Sequence, residues 1–291
     1  MQISEHVYAA RVSFRVQIGP ERYLDRFVYV FLVRGEKVNL IDTGIAGCQE
    51  AIWGLVRESG RTTSEIGRII LTHSHPDHIG GVFGLQKALF GSTIAAHSAE
   101  VRWIEDVEQQ YRERSFPGFH ALVEGSVKVN QLLDDGNAIE LGDKSTLKVI
   151  HTPGHSKGHI ALHHEQDGVL ISADSIPLPN DIPIYEDVFV SLGSIEKLRL
   201  IQGVRVLLAS WDEPRYGDEV QQVLVNGAKQ IRKLHRLVLN AKDRLRSSDT
   251  PTVARQVLEG LGLPQTAFNP LFLRTIEGHL RADDSPERQE I

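Results

Sequence analysis

The sequence predicts an α/β protein in which helices lie outside β-sheets. Strand-like apolar runs alternate with segments of helical spacing along most of the chain. The strand-like runs also fall into two groups, one before residue 97 and one after residue 146. Because each sheet must bury its apolar face against another layer, this alternation is typical of layered α/β folds.

The first half of the chain contains several short strands and two helices. The strands are rich in Val, Ile, Phe and Tyr and end at breaks such as Gly19-Pro20 and Gly35. The helices have apolar residues three or four positions apart, and Gly60 ends the first of them. The predicted strands are 6–18, 26–33, 37–41, 68–71 and 92–96, and the predicted helices are 47–59 and 79–89.

The second half begins with a charged segment, residues 98–130, which we expect to be helical around a break at Pro117-Gly118. Strand patterns then return, again in short apolar runs. The predicted strands are 147–150, 159–164, 168–172 and 204–208, with a helix predicted at 194–202.

The tail from Asp218 has a different pattern. Apolar residues recur every three or four positions from Val220 to Leu245, which predicts an amphipathic helix of about seven turns. Thr250-Pro251 and Asn269-Pro270 each pair a capping residue with proline at the first helical position, which predicts two further short helices. We therefore expect one domain over residues 1–217 and a helical extension over residues 218–291 packed on it.

The composition excludes several classes of protein. Lys and Arg number 32 against 38 Asp and Glu, so the net charge is -6 and a nucleic-acid partner is not expected. No apolar run reaches the ~18 residues of a membrane span. The single cysteine, Cys48, cannot form an internal disulfide, which fits a reducing compartment. We expect a cytoplasmic protein without a membrane partner.

The segment LTHSHPDH, residues 71–78, combines three imidazoles and a carboxylate directly after a predicted strand. In an extended chain the side chains at i and i+2 point the same way, so His73 and His75 can bind one ion. A proline then turns the chain, so that Asp77 and His78 can face a second point nearby. A lone histidine more often has a structural role, but three with an aspartate at this spacing indicate metal binding.

Two further motifs supply candidate partners. HTPGHSKGH, residues 151–159, and ISAD, residues 171–174, each follow a strand-like run, which places His155 and Asp174 at strand ends. Together with HSHPDH and a preceding LIDTG, in this order, they resemble the metallo-β-lactamase-fold hydrolases of the glyoxalase II and lactonase type. The resemblance covers roughly residues 6–214. It implies a four-layer αβ/βα sandwich, here with a C-terminal helical extension, and metals in a cleft along the edge where two sheets meet.

The resemblance also implies a role for each ligand. It assigns His73, His75 and His155 to a first metal, Asp77 and His78 to a second, and Asp174 to a bridging position. Imidazole and carboxylate ligands suit zinc, with iron and manganese as alternatives. Asp42 of LIDTG resembles the residue that orients the ligand loop, although an aspartate that only caps its own turn is a nearly equal alternative.

One part of the family pattern is missing. Many members supply a last histidine to the second metal from a strand near the end of the domain, and Trp211 occupies that place in VRVLLASWDEP. An indole N–H is a donor only and cannot bind a cation. Either Asp212 replaces the histidine as a ligand or it is a carboxylate of a surface turn. The second ion is therefore predicted to be the more weakly bound.

The resemblance implies a metallohydrolase in which two divalent ions turn water into a hydroxide nucleophile at neutral pH. Asp77 is the predicted proton carrier to the leaving group. The sequence offers no other nucleophile, because it has no GxSxG elbow and no cysteine beside a histidine. We predict a small-molecule ester, thioester or lactone as substrate, and a homodimer formed through the helical tail.

Two other functions stay open at this point. Persulfide dioxygenases of the same fold use one iron held by two histidines and a carboxylate, which matches His73, His155 and Asp174. A non-catalytic sensor, whose metal only stabilises the fold, is the third hypothesis. Residues 98–130 and the tail are predicted to set substrate choice. The candidates for an apolar wall are Trp103, Tyr111, Phe116 and Phe119, with packing in the core as the commoner alternative for such residues.

Overall fold

The computed structural model describes residues 1–19, 21–89, 91–116, 118–142, 144–179 and 181–283. Pro20 and Pro117, two of the predicted chain breaks, and the last eight residues of the predicted extension lie outside these ranges. The chain forms two compact units. The first comprises Met1–His151, Gly158–Ala173 and Gly203–Tyr216, and the second comprises Thr152–Lys157, Asp174–Gln202 and the chain from Gly217 onward.

The first unit contains a sheet formed by the N-terminal half of the chain. Its strands are β1 (Val7–Gly19), β2 (Arg22–Arg34), β3 (Val38–Ile41), β4 (Ile66–Leu71), β5 (Thr93–Ala96) and β6 (Gln131–Leu132). They lie side by side in sequence order. The strands β1, β2 and β3 pair antiparallel, whereas β3, β4, β5 and β6 pair parallel. The predicted strands of this half are confirmed, and β6 was not predicted.

A second sheet of the same unit is formed by later residues. Its strands are β7 (Ala138–Gly142), β8 (Ser145–His151), β9 (Ile160–His164), β10 (Val169–Ala173), β11 (Val206–Ala209) and β12 (Arg215–Tyr216). They also lie in sequence order, and only β10 and β11 pair parallel within this sheet. The sequence predicted four of these strands but neither β7 nor β12.

The two sheets share an apolar core, and β2 shows how the sequence builds it. Successive side chains of a strand point to opposite faces. Tyr29, Phe31 and Val33 belong to a cluster that joins both sheets, whereas Val28 and Leu32 belong to a cluster on the other face of the first sheet. Because both faces of β2 are buried over residues 28–33, that stretch is apolar without a break rather than alternating with polar residues.

Helices cover that other face of the first sheet. They are α1 (Gln49–Glu58), α2 (Pro76–Ile79), α3 (Val82–Ala88), α4 (Val101–Glu105), α5 (Val107–Arg114) and α6 (Phe119–Leu122). Buried apolar residues of α1 and α3 pack in the same cluster as the sheet, including Ile52, Leu55 and Leu85. The charged segment 98–130 is thus partly helical, in short pieces rather than one long helix.

The aromatic residues of this segment do not form the predicted wall. Trp103 and Phe119 are 3% and 1% exposed and belong to the interior. Phe116 packs against the same core cluster, and Tyr111 is exposed. The guanidinium groups of Arg102 and Arg114 lie over the ring of Trp103, 4.1 Å and 3.5 Å from its centre. The prediction of an apolar wall is therefore wrong for Trp103 and Phe119.

The second unit contains the remaining helices. They are α7 (Val188–Arg199), α8 (Asp218–Leu245), α9 (Thr250–Leu261) and α10 (Pro270–Asp283). The 28 residues of α8 confirm the helix predicted from apolar spacing, and its buried face includes Leu224, Ile231 and Val238. Helices α8, α9 and α10 contact one another. No described helix is long and apolar enough to cross a membrane.

The caps of the two short helices differ from each other. Asn269 caps α10 as predicted, because its Oδ1 accepts hydrogen bonds from the backbone N–H of Leu271 and Phe272. For α9 the cap is Asp249 rather than Thr250, since the carboxylate of Asp249 accepts from the Thr252 N–H at 3.0 Å. The prediction that Thr250 caps α9 was wrong by one residue.

Candidate metal centre

Three parallel strands end beside residues that the sequence singled out. The strands β3, β4 and β5 run in one direction, so their carboxyl ends lie at the same edge of the first sheet. Asp42 directly follows β3, His73 lies two residues after β4, and His97 directly follows β5. The carboxyl ends of parallel strands are where open α/β sheets bind ligands, so the side chains at this edge form the candidate site.

The HSHPDH loop brings its three imidazoles into contact. The ring centre of His73 lies 4.6 Å from that of His75 and 4.1 Å from that of His78. His73 and His78 are fully buried, and His75 is half-buried. Helix α2 begins at a proline directly after His75, which turns the chain as predicted. Asp77 faces His78, with its Oδ2 3.6 Å from Nε2 of that ring.

Asp42 holds this loop by its carboxylate. Its Oδ1 accepts a hydrogen bond from the Thr72 N–H, and its Oδ2 accepts one from the Thr72 hydroxyl, both at 2.8 Å. The same Oδ2 lies 2.8 Å from Nδ1 of His78. A carboxylate that takes the N–H of one ring nitrogen leaves the other nitrogen, Nε2, to bind a cation. Asp42 therefore occupies the orienting position that the resemblance implied.

Two glycines shortly after the HSHPDH motif allow the backbone to come close to other segments of the chain. A side-chain carbon at Gly80 would lie 2.0 Å from the carbonyl oxygen of Leu122, and one at Gly81 would lie 2.7 Å from that of Thr43. The Thr43 hydroxyl donates to the His78 carbonyl at 2.8 Å. Only glycine fits between these groups, so the sequence after the HSHPDH motif is fixed by packing as well as by chemistry.

Glu100 is a positioning residue that the sequence analysis missed. Its carboxylate is fully buried. One oxygen accepts from both the N–H and the hydroxyl of Ser74, at 3.0 Å and 2.5 Å, and the other accepts from the Gly158 N–H at 2.7 Å. Buried Gln110 donates to the Ser74 carbonyl. Because Ser74 lies between His73 and His75, these contacts fix the backbone that presents both imidazoles.

The second unit contains the other two predicted ligands. Nε2 of His155 lies 3.6 Å from Oδ2 of Asp174, and its Nδ1 lies 2.7 Å from the carbonyl oxygen of Ile184. That carbonyl can only accept, so Nδ1 is the protonated nitrogen and Nε2 presents a lone pair. Asp174 follows Ala173, whose φ of 45° is unusual for a residue with a side chain.

The loop that bears His155 packs tightly on α7 within this unit. Gly154 has a φ of 125°, and a side-chain carbon there would lie 2.3 Å from the Ser191 hydroxyl. The Gly154 carbonyl accepts from the Glu186 N–H at 2.7 Å, and the Pro153 carbonyl accepts from the Ser194 hydroxyl at 2.6 Å. The TPGH motif thus needs its glycine for this approach, independently of the metal.

The donor set suits a divalent metal. Within the first unit the rings of His73 and His75 lie in contact, and within the second unit Nε2 of His155 lies 3.6 Å from Oδ2 of Asp174. Two ligand atoms at ~2.0–2.1 Å from a tetrahedral zinc ion are roughly 3.4 Å apart. The 3.6 Å separation between Asp77 and His78 is close to that spacing. Neutral imidazoles and carboxylates are the ligands that zinc, iron and manganese accept.

Asp212 has another partner in the structure. Its two carboxylate oxygens accept hydrogen bonds from Nε and an Nη of Arg215, at 2.8 Å and 2.7 Å, and Oδ1 also accepts from the Glu213 N–H. This arrangement favours the role of a turn carboxylate over that of a ligand. Trp211 packs edge-on against Phe14, with 6.3 Å between ring centres, and the guanidinium of Arg26 lies over the indole.

Other candidate residues have structural surroundings. His97 stacks on His151, with ring centres 4.3 Å apart, and burial together with that neighbour lowers the pKa of His97. The Sγ of Cys48 lies 2.7 Å from the Thr43 carbonyl, and burial raises its pKa to about 12. A thiol with such a pKa is not a nucleophile at neutral pH. These surroundings indicate structural roles for His97 and Cys48.

Comparison with known proteins agrees with the site. Residues 23–254 match the metallo-beta-lactamase superfamily. A metallo-beta-lactamase family protein from Thermus thermophilus shares the fold with a TM-score of 0.72 and 24% identity, over 96% of this chain and 94% of its own. The chain belongs to the metallo-β-lactamase superfamily of metallohydrolases, and the fold predicted for it is confirmed.

Two curated relatives have more specific names. The acyl-coenzyme A thioesterase MBLAC2 of Bos taurus is 33% identical over 169 residues, which are 50% of this chain and 57% of that protein. The hydroxyacylglutathione hydrolase of Maricaulis maris is 31% identical over 122 residues, which are 42% of this chain and 38% of that protein. The matched segments thus span between about a third and just over half of these relatives.

Proposed function

We propose that this protein is a metal-dependent hydrolase of small-molecule acyl thioesters. The observation on which the proposal rests is the contact of the three imidazoles His73, His75 and His78 in the first unit. In the second unit the pair His155 and Asp174 supplies the remaining ligands of the family pattern. The choice of a thioester over an ester or lactone is supported by the names of the two relatives, one an acyl-coenzyme A thioesterase and the other a hydroxyacylglutathione hydrolase.

The proposed ligand roles follow the family pattern. His73, His75 and His155 would hold the first metal, Asp77 and His78 would hold the second, and Asp174 would serve as a ligand beside them. When bound, divalent ions of this kind supply Lewis-acid polarisation of a carbonyl and a water of lowered pKa. Zinc is proposed for both positions, and the second position has the smaller ligand set because Asp212 is paired with Arg215.

The residues of the chain have distinct tasks in this proposal. Asp42 keeps Nδ1 of His78 engaged, so that Nε2 stays available as a ligand. Glu100 keeps the backbone between His73 and His75 in place. Asp77 is the proposed proton carrier to the leaving thiol, because its carboxylate is only partly buried and lies beside His78.

The runner-up is a dioxygenase acting on persulfides with a single iron held by His73, His155 and Asp174. The pairing of Asp212 with Arg215 is the observation that favours it, since that pairing leaves fewer ligands for a second ion. Purified protein would then contain iron and consume oxygen with a persulfide. Absence of oxygen uptake by iron-loaded protein would remove this alternative.

The proposed function is tested by thiol release and by one ligand variant. Zinc-loaded protein should release thiol from acyl-coenzyme A and acyl-glutathione, and His75→Ala should abolish that release. The loss should exceed the roughly 10- to 100-fold that removal of a residue hydrogen-bonded to a ligand costs. His120→Ala is the matched control, because His120 is an exposed histidine of the same unit.

Circular dichroism separates the catalytic role from a structural one. His75→Ala should keep the wild-type spectrum, because the two apolar clusters of the first unit do not involve the metal. Unfolding of His75→Ala, or of wild type on removal of metal, would support the sensor hypothesis. Inactivity of zinc-loaded wild type on both thioesters would contradict the proposed substrate class.

A further inference from the structure

The first unit contains a second group of ligand side chains, remote in sequence from the HSHPDH motif. His6 precedes β1, His164 ends β9, and Asp167 lies in the turn between β9 and β10. One potential ligand atom of each lies within 4.8 Å of the other two. No sequence motif pointed to these three residues, because they come from separate parts of the chain.

The separations within this group fit one cation. Oδ1 of Asp167 lies 2.9 Å from Nδ1 of His6 and 3.7 Å from Nδ1 of His164. Ligand atoms around a tetrahedral zinc ion are roughly 3.4 Å apart when each bond is ~2.0–2.1 Å. The 2.9 Å contact is a hydrogen bond between His6 and Asp167, which a bound ion would replace, and the 3.7 Å contact is close to the metal spacing.

Hydrogen bonds from neighbouring groups orient the side chains of Asp167 and His164. Oδ2 of Asp167 accepts from the Ser4 hydroxyl at 2.5 Å and from the His6 N–H at 2.8 Å, so Oδ1 is the oxygen that faces both imidazoles. Nε2 of His164 lies 2.8 Å from the Ser145 hydroxyl, and its Nδ1 accepts from the Asp167 N–H at 3.3 Å. The His164 tautomer with the proton on Nε2 satisfies both contacts, and a bound cation would take the Nδ1 lone pair in place of the long 3.3 Å contact with the Asp167 N–H.

We propose that His6, His164 and Asp167 form a separate binding site for one divalent transition-metal ion of the zinc type. Three protein ligands and one water complete a tetrahedral shell. The side chain of His6 is 21% exposed, so water can reach the fourth position, whereas His164 and Asp167 are buried. The ion would join the segment before β1 to the turn between β9 and β10, and it takes no part in hydrolysis.

Zinc content is the direct test. After equilibrium dialysis against zinc, wild type should bind one ion per chain more than His6→Gln, and the same difference should appear between His75→Ala and the double variant. His120→Gln, an exposed histidine of the same unit, is the control and should bind as wild type does. Equal zinc content in wild type and His6→Gln would overturn the proposal.

Thermal unfolding supplies a second measurement. Zinc should raise the Tm of His75→Ala by more than it raises the Tm of His75→Ala with His6→Gln, because zinc bound at the second site stabilises the folded state. If His6→Gln does not fold, Asp167→Asn keeps the shape of the side chain and takes its place. An equal rise in Tm in the singly and doubly substituted chains contradicts the site. Thioester hydrolysis by His6→Gln should equal that of wild type, so failure of this proposal leaves the proposed function untouched.

Discussion

Glu100 shows how one buried carboxylate can set the geometry of a ligand loop. Its carboxylate accepts hydrogen bonds from the N–H and the hydroxyl of Ser74 and from the N–H of Gly158. A buried carboxylate with three donors is well satisfied, and replacement of one acceptor oxygen by an amide N–H would set donor against donor. The lost hydrogen bonds would displace Ser74, the residue between His73 and His75.

Glu100→Gln should therefore weaken metal binding more than it weakens folding. We expect a roughly 10- to 100-fold loss of zinc affinity, measured by competition with a chromophoric chelator, and a similar loss of thioesterase kcat/KM. The free energy of unfolding should fall by about 1–3 kcal/mol. Glu108→Gln, an exposed glutamate of α5, is the control. Unchanged zinc affinity in folded Glu100→Gln would show that the carboxylate is only structural.

Asp212 and Trp211 decide whether this chain completes the family's second site. Because Asp212 is held by Arg215, we expect Asp212→Ala to leave both zinc content and rate unchanged. Trp211→His should raise the zinc content above that of wild type, by at most one ion per chain, since it restores a ligand where an indole cannot bind. Metal analysis of the two single variants beside wild type is the measurement. A loss of about one ion in Asp212→Ala relative to wild type would instead establish Asp212 as the substitute ligand.

The sequence could predict the motif residues but not the residues that hold them. His73, His75, Asp77 and His78 are recognisable because four ligand types in six positions are rare in any other role. Glu100 and Gln110 lie in a charged segment where most such residues face solvent, so their burial follows only from the packing of that segment. The glutamate's position shortly after the strand-like run STIAA is the one available signal, and it is weak.

At the scale of single elements, length and periodicity decide what the sequence reveals. Helix α8 was predictable because its buried residues recur over 28 positions. For the charged segment 98–130 the sequence predicted helix but not the bounds of each helix, because α4, α5 and α6 have only five, eight and four residues. Helices of about two turns are too short to show a clear apolar periodicity. The strand β7 was missed for the same reason, since only Ile139 and Leu141 of its five residues are buried.

The helices of the second unit contain a buried polar network with a consequence for stability. The hydroxyl of Tyr185 lies 2.7 Å from Nε2 of His279, whose Nδ1 lies 3.2 Å from Nδ1 of His235. Burial, and then the neighbouring His235, lower the pKa of His279 to about 3. The folded chain therefore holds His279 neutral, whereas the unfolded chain binds a proton there below about pH 6.5.

This difference predicts acid lability of the second unit. Since the unfolded state binds more protons between pH 6.5 and about 3, the contribution of His279 to stability is complete above pH 6.5 and is lost as the pH falls through that window. The slope should approach about 1.4 kcal/mol per pH unit. The free energy of unfolding, measured with urea at several pH values, should change less with pH for His279→Gln than for wild type or His120→Gln. Equal slopes would contradict the buried neutral histidine.

At the scale of the whole molecule, the order of motifs was enough to predict the family and the fold. Four motifs in a fixed order predicted the metallo-β-lactamase superfamily and its fold, and the family match over residues 23–254 confirms that prediction. The compact units were not predictable, because they do not follow the chain: the six residues Thr152–Lys157 belong with later helices, although strands of the first unit flank them. The predicted domain boundary at residue 217 rests only on the change in the pattern of apolar residues there, and it stays a prediction.

The chain carries a net charge of -6, which two bound zinc ions would reduce to -2 (-6 + 4), and this negative charge gives a prediction for the proposed reaction that depends on no single residue. A coenzyme A thioester carries several negative charges, so long-range repulsion should slow its encounter with the protein at low ionic strength. The screening length falls from about 30 Å at 0.01 M salt to about 10 Å at 0.1 M. Added salt should therefore raise kcat/KM for an acyl-coenzyme A several-fold.

A neutral thioester with the same acyl group is the matched control, and its kcat/KM should change by less than about twofold over the same range of salt. Thiol release at a series of potassium chloride concentrations measures both substrates on one preparation of zinc-loaded protein. If kcat/KM for the coenzyme A thioester falls with salt instead, a local cluster of Lys or Arg attracts the substrate in spite of the overall charge. The repulsion argument would then be wrong, and the polyanionic coenzyme would be favoured over a small neutral thioester.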